Sequence, residues 1–188
     1  MLPRSAVVLG LVLFAAAAPS ASASETASGR YEILIGGLQV GLAGFEGRFS
    51  ATSYEASVSL RLSGVSRLVA AGRGTASASG RIANGRAIPA SYELNLNTTQ
   101  QTEAIRMAMQ GGNVASLSAQ PVRPDAPDQV PLTASHRQGV LDPLAAGIFF
   151  VPGSGPTVGA AACGRTYPVF DGRQRYDLSF TFDRVDRL

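Results

Sequence analysis

The chain has 188 residues, enough for one domain with a real core, and a formal charge of +3. One histidine and one cysteine argue against a transition-metal site, since zinc takes three or four such ligands. All 16 basic residues are arginine, and they are scattered singly along the chain, not gathered into the stripe that a nucleic-acid surface needs. Lysine and tryptophan are absent while alanine and glycine abound, which reads as the codon bias of a GC-rich bacterial genome.

The N-terminus has the order of a secretory signal peptide. Arg4 supplies the positive start, Ala6 to Ala18 is unbroken apolar sequence, and Pro19 ends it before the small-residue site Ala21-Ser22-Ala23. The run is shorter than the ~20 apolar residues of a spanning helix. Cleavage is expected after Ala23, with the mature protein exported and no transmembrane segment left. No cysteine near the cut offers a site for a lipid. The expected organisation is a signal peptide over 1–23, a flexible lead-in over 24–29 and a single β-rich domain over 30–188.

From Arg30 the pattern is alternating. Tyr31, Ile33 and Ile35 share one side, Gly36-Gly37 interrupts, and Leu38, Val40 and Leu42 resume. Either a long bent strand or a tight hairpin fits. From Ser53 the alternation is clearest. Tyr54, Ala56, Val58, Leu60 and Leu62 point one way and Glu55, Ser57, Ser59, Arg61 and Ser63 the other, as in a strand with one wet face. Val65, Leu68 and Val69 within Gly64 to Ala71 are at helical spacing and suggest a short helix. Strand pattern returns over 72–83 and 86–97, joined by Asn84-Gly85, whose type I′ turn chemistry marks a hairpin. Pro89 indicates an edge or a bulge in the second of these strands.

Glu103 to Gln110 and Val114 to Ser118 read as a further hairpin about Gly111-Gly112-Asn113. Pro121 to Pro131 is a proline-rich loop. Asp142-Pro143 is a helix start, with aspartate as cap and proline at the first helical position, ahead of the apolar Leu144 to Phe150. After Cys163 come a strand, an Asp171-Gly172 turn and a last strand over Arg173 to Phe182.

Few residues suggest chemistry. A catalytic triad would have to use His136, with Asp142 the nearest downstream acid, but no Gly-x-Ser-x-Gly elbow occurs, and a loop histidine is the simpler reading. Cys163, the odd cysteine of an exported protein, is a free thiol, a buried small hydrophobe or half of an intermolecular disulfide. Arg165 beside it would favour the thiolate. Asp171, Arg173 and Arg175 could hold an anion, but a hairpin turn followed by wet-face arginines explains them. The glycines over 36–47 and 153–159 lack the Gly-Lys-Ser/Thr of a phosphate loop and read as bends. No catalytic, cofactor-binding or metal-binding residue is assigned.

Four segments together resemble a known family. They are Tyr31 to Gly41, with its Gly-Gly-Leu-x-Val-Gly; the Asn84-Gly85 hairpin leading to Pro89 and Tyr92; Val140 to Leu144; and Pro168 to Leu178. In this order they resemble the domain-of-unknown-function family 3108, exported bacterial envelope proteins, over nearly all of the mature chain. The resemblance implies a periplasmic, curved and mostly antiparallel sheet and no established catalytic residue. It also implies further strands after Tyr176 to Leu178 and a second cysteine. With the chain ending at Leu188, either this copy is shortened or Cys163 has no intramolecular partner.

The expected fold is therefore mainly β, a strongly curved antiparallel sheet or half-open barrel with one or two short helices. The expected function is a non-catalytic binding or structural module of the envelope, with no cofactor. An envelope protein, peptidoglycan or a hydrophobic ligand would be its partner, and nucleic acid would not. The alternative is a carrier that holds a lipid or acyl chain between sheet and helices.

Overall fold

Seven strands follow one another as an antiparallel meander, each paired with its sequence neighbours, in the order β1 to β7. They are β1 (Glu25–Ile35), β2 (Leu38–Phe49), β3 (Ser53–Leu62), β4 (Gly72–Ala83), β5 (Arg86–Thr98), β6 (Thr102–Gln110) and β7 (Asn113–Gln120). A second, two-stranded sheet holds β8 (Arg165–Phe170) and β9 (Arg175–Phe180). Between the sheets come a 3-10 turn, Ala134–Arg137, and one short helix, α1 (Pro143–Ile148). The computed structural model describes residues 24–62, 71–123, 130–148, 160 and 163–184. The expected signal peptide, the helix expected at Val65 to Val69, the middle of the proline-rich loop and the glycines over 153–159 lie outside them, as do the last two residues of the apolar segment Leu144 to Phe150.

The large sheet is open, with β1 and β7 as its edges, so the fold is a curved sheet and not a closed barrel. Three of its turns are two-residue hairpins made where the sequence supplies positive φ. Gly36-Gly37 (58° and 80°), Asn84-Gly85 (52° and 67°) and Gly111-Gly112 (59° and 80°) match the type I′ geometry that suits the strand twist. Gly36-Gly37 is thus a hairpin and not a bend within one strand. β1 begins at Glu25, inside the segment read as a flexible lead-in, and Glu25 to Gly29 pair with Phe45 to Phe49. Pro89 is at a bulge: opposite the Ser79-Gly80 step, Ala90 is skipped, and the β5–β6 ladder begins only at Ser91. Proline therefore removes no ladder bond that β6 would have made.

The register sorts the residues onto two faces. One apolar ladder crosses the sheet through Ala56, Ala78, Tyr92, Met107 and Leu117, and the next through Val58, Ala76, Leu94, Ile105 and Ala119. Residues one step away on every strand point to the other face, because the side-chain period of a strand is two. The apolar face is covered at the end where the β4–β5 and β6–β7 turns lie. There Val140, Ala145 and Phe170 from the second layer join Tyr54, Tyr92, Ile105, Met107 and Met109 in one buried cluster.

That layer is stitched on by backbone hydrogen bonds. Val140 N–H donates to Gly112 O (2.8 Å), Leu141 N–H to Pro168 O (2.9 Å) and Phe170 N–H to Leu141 O (2.9 Å). Leu141 and Val169 form a parallel bridge. Gly172 sits at φ +97° against Ile105, and a Cβ there would lie 2.5 Å from Ile105 Cγ2, so the turn can press onto β6 only with glycine.

Ile105→Ala should destabilise the chain by about 2–5 kcal/mol in chemical denaturation, since Ile105 is 2% exposed at the centre of the cluster. Ser77→Ala, one strand face away, should stay within about 0.5 kcal/mol. Equal losses at both positions would contradict this assignment of faces.

Candidate functional site

The face opposite the core is polar, and it is hollowed. A groove of about 760 Å³ lies across β1 to β5, with Arg30, Glu46, Ser57, Ser77, Glu93 and Asn95 among its walls. It shares Arg30, Ser59 and Thr75 with a wider hollow of about 880 Å³ towards the Gly36-Gly37 end. It shares Ser28, Glu46, Ser57 and Ser77 with a third of about 500 Å³ towards the other end. The three form one trough running along the strands.

Strand register explains its lining. Successive cross-strand rows are Arg48, Glu55, Ser79, Ser91; then Glu46, Ser57, Ser77, Glu93; then Gly44, Ser59, Thr75, Asn95; then Leu42, Arg61, Arg73, Asn97. Rows on one face repeat every second residue, so four of them span ~20 Å. The two middle rows carry small hydroxyl side chains on β3 and β4, which leaves the floor deep. The walls carry charge: Arg106 pairs with Glu93 at 3.1 Å and Arg48 with Glu55 at 3.8 Å. The Asn95 side chain donates to Glu93 Oε1 (3.0 Å), and this bond first, helped by Arg106, holds the Glu93 carboxyl below its ordinary range. The trough offers hydroxyls, an amide and paired charges, but no nucleophile–base pair among the described residues.

Asp142 is the buried polar residue of the second layer. Its Oδ1 accepts from Leu144 N–H (3.0 Å) and Ala145 N–H (2.9 Å), capping α1 as the sequence suggests. Its Oδ2 is buried and meets no donor among the described residues. Burial pushes the carboxyl up to about 6, against the lowering effect of those backbone bonds. Tyr54 and Tyr92 in the core beneath are held well above the usual phenol range, by burial first and then by the charge on Asp142. The arrangement is a helix cap in an apolar setting.

A second charged group ties the layers together. Glu103 on β6, 8% exposed, accepts from Arg173 Nε at 2.8 Å and pairs with Arg123 at 3.2 Å. Arg173 also donates to Pro121 O at 2.8 Å. The sequence placed Arg173 on the wet face of the last strand. In fact that strand starts at Arg175, and Arg173 belongs to the turn, folded back onto Glu103. Asp171 Oδ1 holds the turn by accepting from the Arg173 and Gln174 N–H groups (2.7 and 2.8 Å). Arg175 pairs with Asp177 at 3.2 Å. The anion-site candidates at Asp171, Arg173 and Arg175 therefore answer internal carboxylates and a turn. Glu103 was missed by sequence reasoning, because nothing local marks a partner that lies 70 residues away.

His136 is in the 3-10 turn. Its Nδ1 accepts from Thr133 N–H at 3.0 Å, so the ring is occupied in capping and faces no acid through that nitrogen. Cys163 is half-buried with a free thiol, and the following Gly164 turns at φ +82° into β8. No group of three or more histidine, cysteine or acidic side chains able to hold a metal occurs among the described residues.

A mainly antiparallel open sheet backed by a small second layer thus defines the class of protein. The chain belongs to the family described as "Protein of unknown function (DUF3108)", whose model matches residues 30–188. No curated protein and no solved structure matched it.

Two outcomes follow from the buried charges. The Asp142 carboxyl titrates near 3.8 when unfolded and near 6 when folded. Between these values only the folded chain keeps the proton, so stability falls as pH rises from about 4 to about 6 and levels off above. Asp142→Asn keeps the capping oxygen and removes the titration, so it should flatten that slope in denaturant titrations across about pH 4 to 7. An unchanged slope would mean that the carboxyl is solvated. Arg173→Met should cost about 3 kcal/mol by leaving Glu103 half-paired in a buried position, whereas Arg175→Met, at an exposed pair, should cost less than about 1 kcal/mol.

Proposed function

We propose that this chain is an exported, non-catalytic binding module of the bacterial envelope, and that the polar trough is where it binds. The ligand class is an extended polymer rich in hydroxyl and amide groups. In the periplasm the glycan strand of peptidoglycan has that chemistry. The observation that carries the reading is the continuity of the trough. Three overlapping hollows run over four strand rows, with hydroxyls on the floor of the two middle rows and charged side chains toward both ends, a length suited to a few sugar units.

Several features support a binding role in preference to catalysis. His136, Asp142, Asp171, Arg173 and Arg175 are all engaged in caps, turns or ion pairs. Export is supported by the leader pattern around Arg4, Ala6 to Ala18 and Ala21-Ser22-Ala23. The rival reading, an acyl chain held beneath α1, has less support. The space there is filled by Tyr54, Tyr92, Met107, Ala145 and Phe170, all at most 5% exposed.

The test is titration of the isotope-labelled protein with soluble peptidoglycan glycan strands, followed by amide NMR. Shifts are expected at Ser57, Ser59, Thr75, Ser77 and Glu93, and not at Val140 to Ala146. Ser57→Arg with Ser77→Arg fills the floor and should weaken binding at least about tenfold, the equivalent of ~1.4 kcal/mol, without lowering the melting temperature. No shifts, or shifts centred on the α1 side, would refute the trough as the binding surface. Mass spectrometry of the periplasmic form should give an N-terminus at Ser24.

A further inference from the structure

The β1–β2 hairpin turns at Gly36-Gly37 with exposed apolar residues on either side. Among the described residues the last β2–β3 pair is Gly41 with Leu62, while Leu34 pairs with Gln39 and Ile35 with Leu38 next to the turn. The tip carries apolar side chains on both faces, with Gln39 opposite Leu34 on one of them. Ile35 and Leu38 form the final cross-strand pair, and Leu34 is one step away on the opposite face. They are 68%, 58% and 57% exposed. Along most of β1 to β5 one face is apolar and the other polar, with Leu42 an exception in a polar row.

Behind the tip lies a basic row. Arg61 stands directly opposite Arg73 across β3 and β4, and Leu42, 45% exposed, is the next member of that row. Arg30 lines the same hollow from β1. Like charges directly opposite each other across two strands are unfavourable. None of these three arginines forms an ion pair among the described residues, while Arg48, Arg106, Arg123, Arg173 and Arg175 all do. Glu32 is the one acid in that lining.

We infer that this end of the molecule docks on the surface of an anionic lipid bilayer, with Leu34, Ile35 and Leu38 among the acyl chains and Arg30, Arg61 and Arg73 at the headgroups. Two-sided exposure favours a fluid apolar medium. A protein groove would cover one face of a hairpin and leave the other wet. The spacing also fits. Four residues of extended strand separate Leu38 from Leu42, so the basic row lies ~13 Å behind the tip. An interfacial segment buries its apolar part by roughly 5–10 Å, which puts the arginines at headgroup depth. The tip is at the opposite end of the sheet from α1 and the second layer, so docking leaves the core and most of the trough free.

The experiment is flotation of the chain with vesicles of phosphatidylglycerol and phosphatidylcholine, against vesicles of phosphatidylcholine alone. Parent and variants are compared in the same form, so any leader is common to all. The parent should float with the anionic vesicles and be released as salt rises. Ile35→Glu with Leu38→Glu should cut the floated fraction at least about tenfold, since two buried side chains are lost. Arg61→Glu with Arg73→Glu should reduce it to the level of neutral vesicles. All these side chains are exposed, and unchanged melting curves would confirm that the variants are folded. Binding that ignores lipid charge, or that survives the tip substitutions, would overturn the inference. So would dimerisation in sedimentation without vesicles that the tip variant abolishes, because the tip would then meet a second copy. Failure on vesicles leaves the trough reading intact, since the NMR titration contains no lipid.

Discussion

The second layer hangs on the short segment from Gly139 to Leu144. A meander sheet with one apolar face has to bury it against something, and the described residues include little helix for it. Val140 bonds to the β6–β7 turn through Gly112, Leu141 bridges to β8 through Pro168 and Phe170, and Asp142 caps α1. Each backbone bond contributes modestly by itself, about 1 kcal/mol net. Together they fix where Val140, Ala145 and Phe170 meet the sheet, and that contact closes the core.

The cost of that solution is a carboxyl group placed where water is absent. A cap oxygen is needed to start so short a helix, and burial of the cap raises its proton affinity. The other buried acid, Glu103, is treated differently, with two arginines reaching it from the proline-rich segment and the β8–β9 turn. One carboxyl is stabilised by charge and the other leans toward its neutral form. Asp142 gives stability a pH-dependent contribution, and Glu103 acts as a fastening between layers.

Among the described residues, the second layer covers one end of the apolar face and leaves the polar face to the trough. On the polar face the small residues of β3 and β4 stand at the bottom of the curve, and charged residues stand on its sides. At the other end the β1–β2 hairpin keeps its apolar side chains in the open. A binding surface and a docking end thus arise from the same economy of packing, a sheet larger than the layer that covers it.

Much of the fold was legible locally. Period-two alternation from Tyr54 to Leu62 and the Asn84-Gly85 and Gly111-Gly112 turns specify strands and hairpins, because turn geometry and strand pleat depend on a few adjacent residues. The Asp142 cap was readable for the same reason. Tertiary structure alone decided three things. It set the cross-strand register that lines Ser57, Ser77 and Glu93 into one trough, since each strand contributes only a single residue to a row. It turned Arg173 from an expected wet strand position to Glu103, a partner remote in sequence. It also left Leu34, Ile35 and Leu38 exposed at the hairpin tip, where alternating hydrophobicity reads as a buried strand. Alternation tells which side of a strand is apolar; only the packing of the second layer tells which part of that side is buried.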